Sequence, residues 1–216
     1  MISPRRGVFV TFEGIEGCGK STQMRLLVER LHGLGYSVTE NQEPGATAIG
    51  KQIRRILLDP ENGEMAAVTE LLLMFASRAQ AATEIVRPAL ARGEVVVSDR
   101  FTDSTLAYQG CARGLGFELV QRAHQLALGD LRPDLTIAID LDLETALLRA
   151  RRRNAATTEE ESRIDQQSFA FHSQVLEGYR QIARMEPERF RFVDGSGGAQ
   201  EIAARVWEQV EPRLRT

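Results

Sequence analysis

The sequence contains few lysines, few cysteines and no long run of apolar residues. Its 27 lysines and arginines include only two lysines, Lys20 and Lys51, and its two cysteines are Cys18 and Cys111. Two cysteines are too few for a secreted disulfide scaffold, so we expect a reducing, cytoplasmic environment. The apolar stretch near the N-terminus is too short for a signal peptide, and no run approaches the length of a membrane span. We therefore expect no membrane association.

Charge and composition exclude two further classes of protein. The formal net charge of the 216 residues is −3, whereas a general nucleic-acid coat protein is expected to be basic. Hydrophobic residues make up 43% and charged residues 26%, which is typical of a globular chain and not of a disordered one. No repeat or low-complexity block is present. We expect a single domain over residues 1–216, with no nucleic-acid partner.

Short apolar segments alternate with amphipathic helical patterns along the chain. Five of these segments have the composition of buried strands: residues 7–12, 36–39, 95–97, 135–139 and 190–193. Strands that alternate with helices need crossover connections, which produce a parallel sheet sandwiched between helices. The sequence therefore predicts an α/β fold with a five-stranded parallel sheet.

The segment after the first predicted strand has the spacing of a phosphate-binding loop. Residues 14–21 fit G-x-x-x-x-G-K-[ST] at every fixed position, with a strand before them and a helix after them. The glycines let backbone N–H groups point at a β-phosphate, Lys20 adds a positive charge at the β- and γ-phosphates, and Ser21 offers a hydroxyl to Mg²⁺. The predicted ATP-binding residues are Gly14, Ile15, Glu16, Gly17, Cys18, Gly19, Lys20, Ser21 and Thr22.

Two other classes of nucleotide-binding protein do not fit. The dinucleotide motif G-x-G-x-x-G is absent, because Thr22 stands where its last glycine would be. A GTPase needs an Asn-Lys pair to read guanine, and both lysines of this chain follow a glycine. The loop therefore indicates an ATP-dependent phosphotransferase, which must also bind a second substrate.

An Asp-Arg pair follows the third predicted strand, at the edge of the sheet where ligands collect in open α/β folds. Arg100 can hold an acceptor phosphate with two hydrogen bonds, and Asp99 can hold Mg²⁺ through water. The alternative is an ion pair that merely ends the strand. We take Lys20, Asp99 and Arg100 as predicted catalytic residues, and Ser21 and Asp99 as predicted metal ligands.

Four blocks of the sequence resemble the thymidylate kinase family. They lie in the family's order at residues 13–22, 43–47, 75–80 and 99–110, and the match extends from about Val8 to Val193. The resemblance implies a P-loop nucleoside monophosphate kinase fold with a helical lid. It also implies an enzyme that transfers the γ-phosphate of Mg-ATP to dTMP, giving dTDP for dTTP biosynthesis. Members are often homodimers, and the helix around residues 71–82 could form that interface or belong to the core.

The resemblance assigns roles on the dTMP side. Phe75 would stack on thymine, and Arg78, one turn along the same helix face, would bond a base carbonyl; the alternative for this pair is a core phenylalanine and a surface arginine. Tyr108 would crowd the sugar 2′ carbon and so reject ribonucleotides. The other implied contacts are Glu16 at the 3′-hydroxyl, Glu43 near the metal, Arg100 at the phosphate, and Ser104, Thr105 and Gln109 at or near the base edge.

Gly17 stands where some thymidylate kinases carry an arginine in the phosphate loop. Members without that arginine supply catalytic arginines from a mobile lid, which the resemblance places at roughly residues 149–165. Arg149 and Arg153, four apart on one helix face, are therefore the predicted lid arginines, with Arg153 the first candidate for the transition-state role and Arg149 the next. The alternative is a solvated basic face; an RNA-binding patch is disfavoured, because no aromatics interleave and residues 159–161 are all glutamate.

The sequence departs from the family pattern at two places, and two other functions are alternatives. Ala46 replaces the second glycine of Glu-Pro-Gly-Gly-Thr, and the lid reads Ser-Arg-Ile-Asp at residues 162–165 after a long polar stretch. A different nucleoside or nucleotide kinase is the alternative enzyme. A non-catalytic ATP-binding regulator is the alternative of another class, although it would have no need of Arg100.

Overall fold

The computed structural model describes residues 7–156, 163–164 and 166–215, and of residues 153–156 it describes the backbone only. In this part of the chain five parallel strands form one sheet in the order β2-β3-β1-β4-β5. They are β1 (Val8–Glu13), β2 (Val38–Gln42), β3 (Val95–Asp99), β4 (Leu135–Asp140) and β5 (Phe190–Asp194). The predicted five-stranded parallel sheet is confirmed.

Helices cover both faces of the sheet, as right-handed crossovers require. The α-helices are α1 (Lys20–Gly33), α2 (Ala48–Leu58), α3 (Ala67–Ala81), α4 (Arg87–Ala91), α5 (Thr102–Thr105), α6 (Phe117–Leu128), α7 (Leu143–Ala156), α8 (Phe169–Met185) and α9 (Ala199–Leu214). A 3₁₀ turn at Pro60–Asn62 and two π-helical segments, Ala82–Val86 and Leu106–Ala112, complete the regular structure. No helix in the described residues is both long and apolar enough to cross a membrane.

The core lies where the central strands meet the helices. Strands β1, β3 and β4 are near-continuous apolar runs with almost no exposed side chain, because helices pack on both of their faces. The edge strand β2 differs: it runs from Val38 to Gln42, two to three residues later than its sequence predicts. An edge strand is only partly covered, so its polar residues pair with β3 without being buried on both faces.

The sheet brings three loops to one edge. Phe12 of β1 pairs with Asp99 of β3, and Gln42 of β2 pairs with the same residue. The segments that follow these strands are the phosphate loop, the loop beginning at Glu43, and the turn at Arg100. Because parallel strands end side by side, residues far apart in sequence meet at this edge.

Candidate active site

A cavity of about 970 Å³ lies at the carboxyl edge of the sheet, which is enough for a nucleotide-sized ligand. The phosphate loop forms one wall, and α3 and the helical segment after Arg100 form another. The predicted site residues that line it are Glu16, Gly17, Gly19, Lys20, Ser21, Thr22, Glu43, Arg78, Asp99, Arg100, Ser104, Thr105, Tyr108, Gln109 and Arg149. Residues predicted from five separate parts of the sequence therefore share one cavity.

The phosphate loop adopts a conformation that depends on its glycines. Gly14, Gly17 and Gly19 all have positive φ angles, of 130°, 76° and 102°. A Cβ atom at Gly17 would lie 2.0 Å from the carbonyl oxygen of Ala146 on α7. No side chain fits there, which is a structural reason why this loop has no arginine at that position.

Lys20 is buried and held in the loop. Its Nζ donates to the carbonyl oxygens of Gly14 and Ile15, each at 2.9 Å. Burial opposes the ammonium charge, as does Arg100, but Cys18 and the carboxylates of the site outweigh them and raise the pKa of Lys20. Lys20 is therefore positively charged at neutral pH and positioned beside the backbone that would receive phosphates.

Arg100 is the described non-glycine residue with a positive φ angle, 68°. This left-handed conformation costs of order 1–3 kcal/mol and persists only where the surroundings enforce it. The guanidinium donates to Glu16 at 2.8 Å and to Ser104 at 2.9 Å, and it also approaches the hydroxyls of Tyr108 at 3.3 Å and Tyr179 at 3.4 Å. The strained turn thus aims a fixed cation into the cavity.

Asp99 and Ser21 fit a metal ion that is held together with phosphates. Asp99 Oδ1 is buried and accepts no hydrogen bond from any described residue, so it can accept one from a bound water or contact an ion. Ser21 is exposed at the start of α1, and both residues line the cavity. No described group of three His, Cys, Asp or Glu residues could hold a metal by itself. The donor set therefore suits a cation that arrives with a nucleotide.

Glu13, which the sequence analysis did not select, lies behind Arg100. The backbone N–H of Phe101 donates to its Oε1 at 2.8 Å, while Tyr179 (at 3.0 Å) and Ser104 donate to its Oε2. Burial raises the pKa of Glu13 to about 7, and Asp103 adds to this effect, although Arg100 opposes it. The sequence feature that could have identified Glu13 is its position: it is a carboxylate at the end of a strand that is otherwise almost entirely apolar.

The raised pKa of Glu13 predicts a pH dependence of stability. Because the folded protein binds this proton more tightly than the unfolded chain, the stabilisation is complete below about pH 4.5 and is lost as pH rises through about 7. Between pH 5 and 8, the wild type should therefore lose unfolding free energy relative to Glu13→Gln. Urea unfolding at each pH measures this difference. Exposed Glu208→Gln is the control, and parallel pH profiles for wild type and Glu13→Gln would contradict the prediction.

Arg78 lies on the opposite wall from the phosphate loop and is almost fully buried. Its Nε donates to Glu43, and its Nη1 donates to Thr105 Oγ1 at 2.9 Å. A guanidinium has five N–H donors, so two partners do not exhaust it. The predicted grouping of these three residues at the cavity wall is what the structure shows.

Phe75 is not where the sequence analysis expected it. Its ring is buried in the core, 3% exposed, with its centroid 6.4 Å from the ring of His124. Met74 lines the cavity instead. The reason is the rotation of α3: Met74 lies about 40° from Arg78 on the side of the cavity, whereas Phe75 lies about 60° from it on the side of α6, with its ring centroid 5.2 Å from the guanidinium carbon of Arg78. Of these two neighbouring residues, Met74 and not the predicted Phe75 therefore lines the cavity.

The helical segment after Arg100 supplies two more predicted residues. Tyr108 and Gln109 both lie in the π-helical stretch Leu106–Ala112, a form that is frequent at functional sites. The Tyr108 ring lies 5.0 Å from the guanidinium carbon of Arg100, and Gln109 Nε2 donates to Glu70 at 2.7 Å. This segment was not predicted as helical, because its sequence LAYQGCA carries no regular helical period of apolar residues.

The arginines of the expected lid lie in different surroundings. Arg149 lines the cavity, whereas the side chain of Arg153 lies outside the described residues. Arg163 is buried, and its Nη2 lies 2.5 Å from Glu70.

In the loop after β2, Ala46 keeps an ordinary φ angle, since the positive φ of that loop is at Gly45, 120°. The replacement of the second glycine therefore introduces no backbone strain.

Comparison with known proteins gives consistent matches. The thymidylate kinase family model matches residues 12–206. The thymidylate kinase of Pelobacter propionicus is 51% identical over 205 residues, 94% of each chain, and that of Syntrophotalea carbinolica is 48% identical over 200 residues, 92% of this chain and 93% of that one. A crystal structure of thymidylate kinase from Ehrlichia chaffeensis superimposes with a TM-score of 0.77 at 29% identity, covering 96% of this chain and all of that one.

Proposed function

Since the chain belongs to the thymidylate kinase family, we propose that it transfers the γ-phosphate of ATP to the 5′-phosphate of dTMP within the cavity described above. It is an enzyme of nucleotide biosynthesis. The observation that carries the proposal is the shared cavity: the phosphate loop with Lys20 and the strained Arg100 face the same space, which a donor and an acceptor phosphate must both enter. A protein that only sensed ATP would not need the second cation.

A substrate panel tests this function. ADP release is measured with ATP and, in turn, dTMP, dUMP, dCMP, AMP and thymidine. We expect dTMP to give the highest kcat/KM. Preference for thymidine would indicate a nucleoside kinase, and thermal stabilisation by ATP without turnover on any acceptor would indicate a regulator.

The chemical problem is electrostatic rather than one of proton transfer. The acceptor phosphate is largely ionised at neutral pH, so a strong general base is unnecessary, but two anions must meet in line. Lys20 would hold the donor's β- and γ-oxygens, and Arg100 would hold the acceptor phosphate. Magnesium, when bound with ATP near Ser21 and Asp99, supplies further charge neutralisation at the phosphate oxygens. We assign the remaining transition-state cation to Arg149, with Arg153 as the other candidate.

The opposite wall of the cavity fits a pyrimidine deoxynucleotide. Met74 would lie against the base, and Arg78 would donate to a base carbonyl. Thr105 and Gln109 would contact the base edge. The remaining assignments are Tyr108 beside the sugar 2′ carbon, Glu16 at the 3′-hydroxyl, Ser104 beside the acceptor phosphate and Glu43 as the anchor of Arg78.

Replacement of Met74 tests the corrected base contact. Met74→Ala removes an apolar side chain worth about 1.5–3 kcal/mol when fully buried, so KM for dTMP should rise about tenfold while kcat changes little. Steady-state kinetics at saturating ATP measures both. Met185→Ala, at an exposed methionine, is the control. An unchanged KM would mean that another side chain carries the base.

We also propose that the protein acts as a homodimer in the cytoplasm. The side of α3 turned away from the cavity exposes Val68 and Leu72, and α6, which packs against α3, exposes Leu119 and Leu126. An exposed apolar surface of this kind is typical of an interface. Light scattering would test the dimer, and a monomer at every concentration would contradict it.

A further inference from the structure

Glu70 is a buried carboxylate that the proposed chemistry does not use. It lies on α3 one turn before Met74 and is 1% exposed. Charged side chains are almost never buried to this degree without partners. Glu70 is not among the described residues that line the cavity, but it touches one that does, Gln109. A buried charge directly behind a ligand-facing side chain suggests that it fixes that side chain.

Both carboxylate oxygens of Glu70 accept hydrogen bonds. Oε1 accepts from Gln109 Nε2 at 2.7 Å and from Arg113 Nε at 3.3 Å. Oε2 accepts from Arg163 Nη2 at 2.5 Å and from Arg113 Nη2 at 3.2 Å. Burial opposes ionisation, but the hydrogen bonds from Gln109 and Arg163 and the charge of Arg113 outweigh it and lower the pKa of Glu70. Glu70 is thus an acceptor without a proton to donate.

An ionised Glu70 determines which way the Gln109 amide faces. A carboxylate can accept only, so the NH₂ end of the amide must face Glu70 and the oxygen must face away from it. A turned amide would place its oxygen against the carboxylate, so that two buried acceptors would repel each other and the amide oxygen would have no donor from Glu70. The two arginines are themselves anchored, Arg113 by Gln167 at 3.1 Å and Arg163 by the carbonyl of Leu57 at 3.2 Å. These contacts hold the two arginines, and through them the Glu70 carboxylate, in place.

We propose that Glu70 is a positioning residue for base specificity, which holds Gln109 so that an amide oxygen, not an NH₂ group, faces the base. This inference rests on the proposed function. At position 3, thymine and uracil carry an N–H donor, whereas cytosine carries an unprotonated nitrogen that accepts. An acceptor on the protein pairs with the former and repels the latter. Arg78 supplies the complementary donor for a carbonyl group at the same wall of the cavity.

The test is the ratio of kcat/KM for dTMP to kcat/KM for dCMP. In Glu70→Gln, the new amide can either donate or accept, so Gln109 can turn and present its NH₂ group to cytosine. We expect the ratio to fall about tenfold, because discrimination that rests on a fixed hydrogen-bonding group is lost when the group can turn. Glu64→Gln, at an exposed glutamate near the start of α3, is the matched control and should keep the wild-type ratio.

Two further variants separate positioning from simple damage to the fold. Glu70→Asp keeps a negative charge beside Arg113 and Arg163 but withdraws it from Gln109, so its ratio should also fall; it decides the matter if Glu70→Gln does not fold. In a Gln109→Leu background, Glu70→Gln should leave the ratio unchanged, because the two residues act through one contact.

The outcomes are distinct. General damage to the fold would lower turnover of dTMP and dCMP together and leave their ratio unaltered. An unaltered ratio in both Glu70 variants, with a wild type that phosphorylates dTMP, would overturn the inference. A wild type that fails on dTMP would overturn the proposed function itself.

Discussion

Replacement of Lys20 by alanine should lower kcat/KM for ATP by about 10²–10³, the range measured when a single charge-stabilising donor is removed from an active site. Lys20 is buried, charged and held against the carbonyls of Gly14 and Ile15 at 2.9 Å, so its ammonium has a fixed place in the loop. Bound phosphate oxygens would replace those carbonyl oxygens as acceptors, or would share the Lys20 ammonium with them. No other lysine stands in for it, because the chain has only two.

The second lysine is a matched control for the first. Lys51 lies exposed on α2, and Lys51→Ala removes the same charge from the protein without touching the cavity. We expect its kinetics to match those of the wild type, measured by ADP release over a range of ATP concentrations. Equal activities of Lys20→Ala and Lys51→Ala would remove the phosphate loop from the mechanism.

Arg149→Ala should have a larger effect on the reaction than Lys20→Ala. A transition-state arginine in phosphoryl transfer is worth roughly 10³–10⁵ in rate, because its charge neutralises oxygens that gain negative character only during transfer. The loss should therefore fall on kcat, with KM for dTMP changed little. Single-turnover measurements under saturating ATP and dTMP report the chemical step directly.

Neighbouring arginines on α7 supply the comparison. Arg151→Ala removes an exposed arginine about 200° around the helix from Arg149 and should leave kcat near the wild-type value. Arg153→Ala, made in parallel, decides between the two lid candidates. If Arg149→Ala retains kcat while Arg153→Ala loses it, the transition-state role belongs to Arg153.

Features that depend on local spacing could be predicted from the sequence. The phosphate loop follows from eight consecutive residues, and Asp99-Arg100 follows from its position at the end of an apolar strand. Both are fixed by short-range geometry, since a strand, a tight turn and a helix N-terminus specify where each group points. The strand–helix alternation likewise predicted the parallel sheet.

Features that depend on long-range contacts could not be predicted in the same way. Whether Met74 or Phe75 faces the cavity depends on how α3 is rotated against α6, and adjacent apolar residues give no signal for that rotation. Glu70 meets Gln109 and Arg163 across 39 and 93 residues. Glu13 meets Tyr179 across 166 residues. Such partners are chosen by packing, which neither a periodicity nor a motif describes.

A crystal structure with dTMP and a non-hydrolysable ATP analogue tests the central claim most directly. That claim is that one cavity holds donor and acceptor phosphates against Lys20 and Arg100. We predict the triphosphate on the phosphate loop, the dTMP phosphate at Arg100, and the thymine between Met74 and Gln109 with its N3–H toward the Gln109 oxygen. A dTMP molecule bound outside this cavity, or with its phosphate directed away from Arg100, would contradict the account.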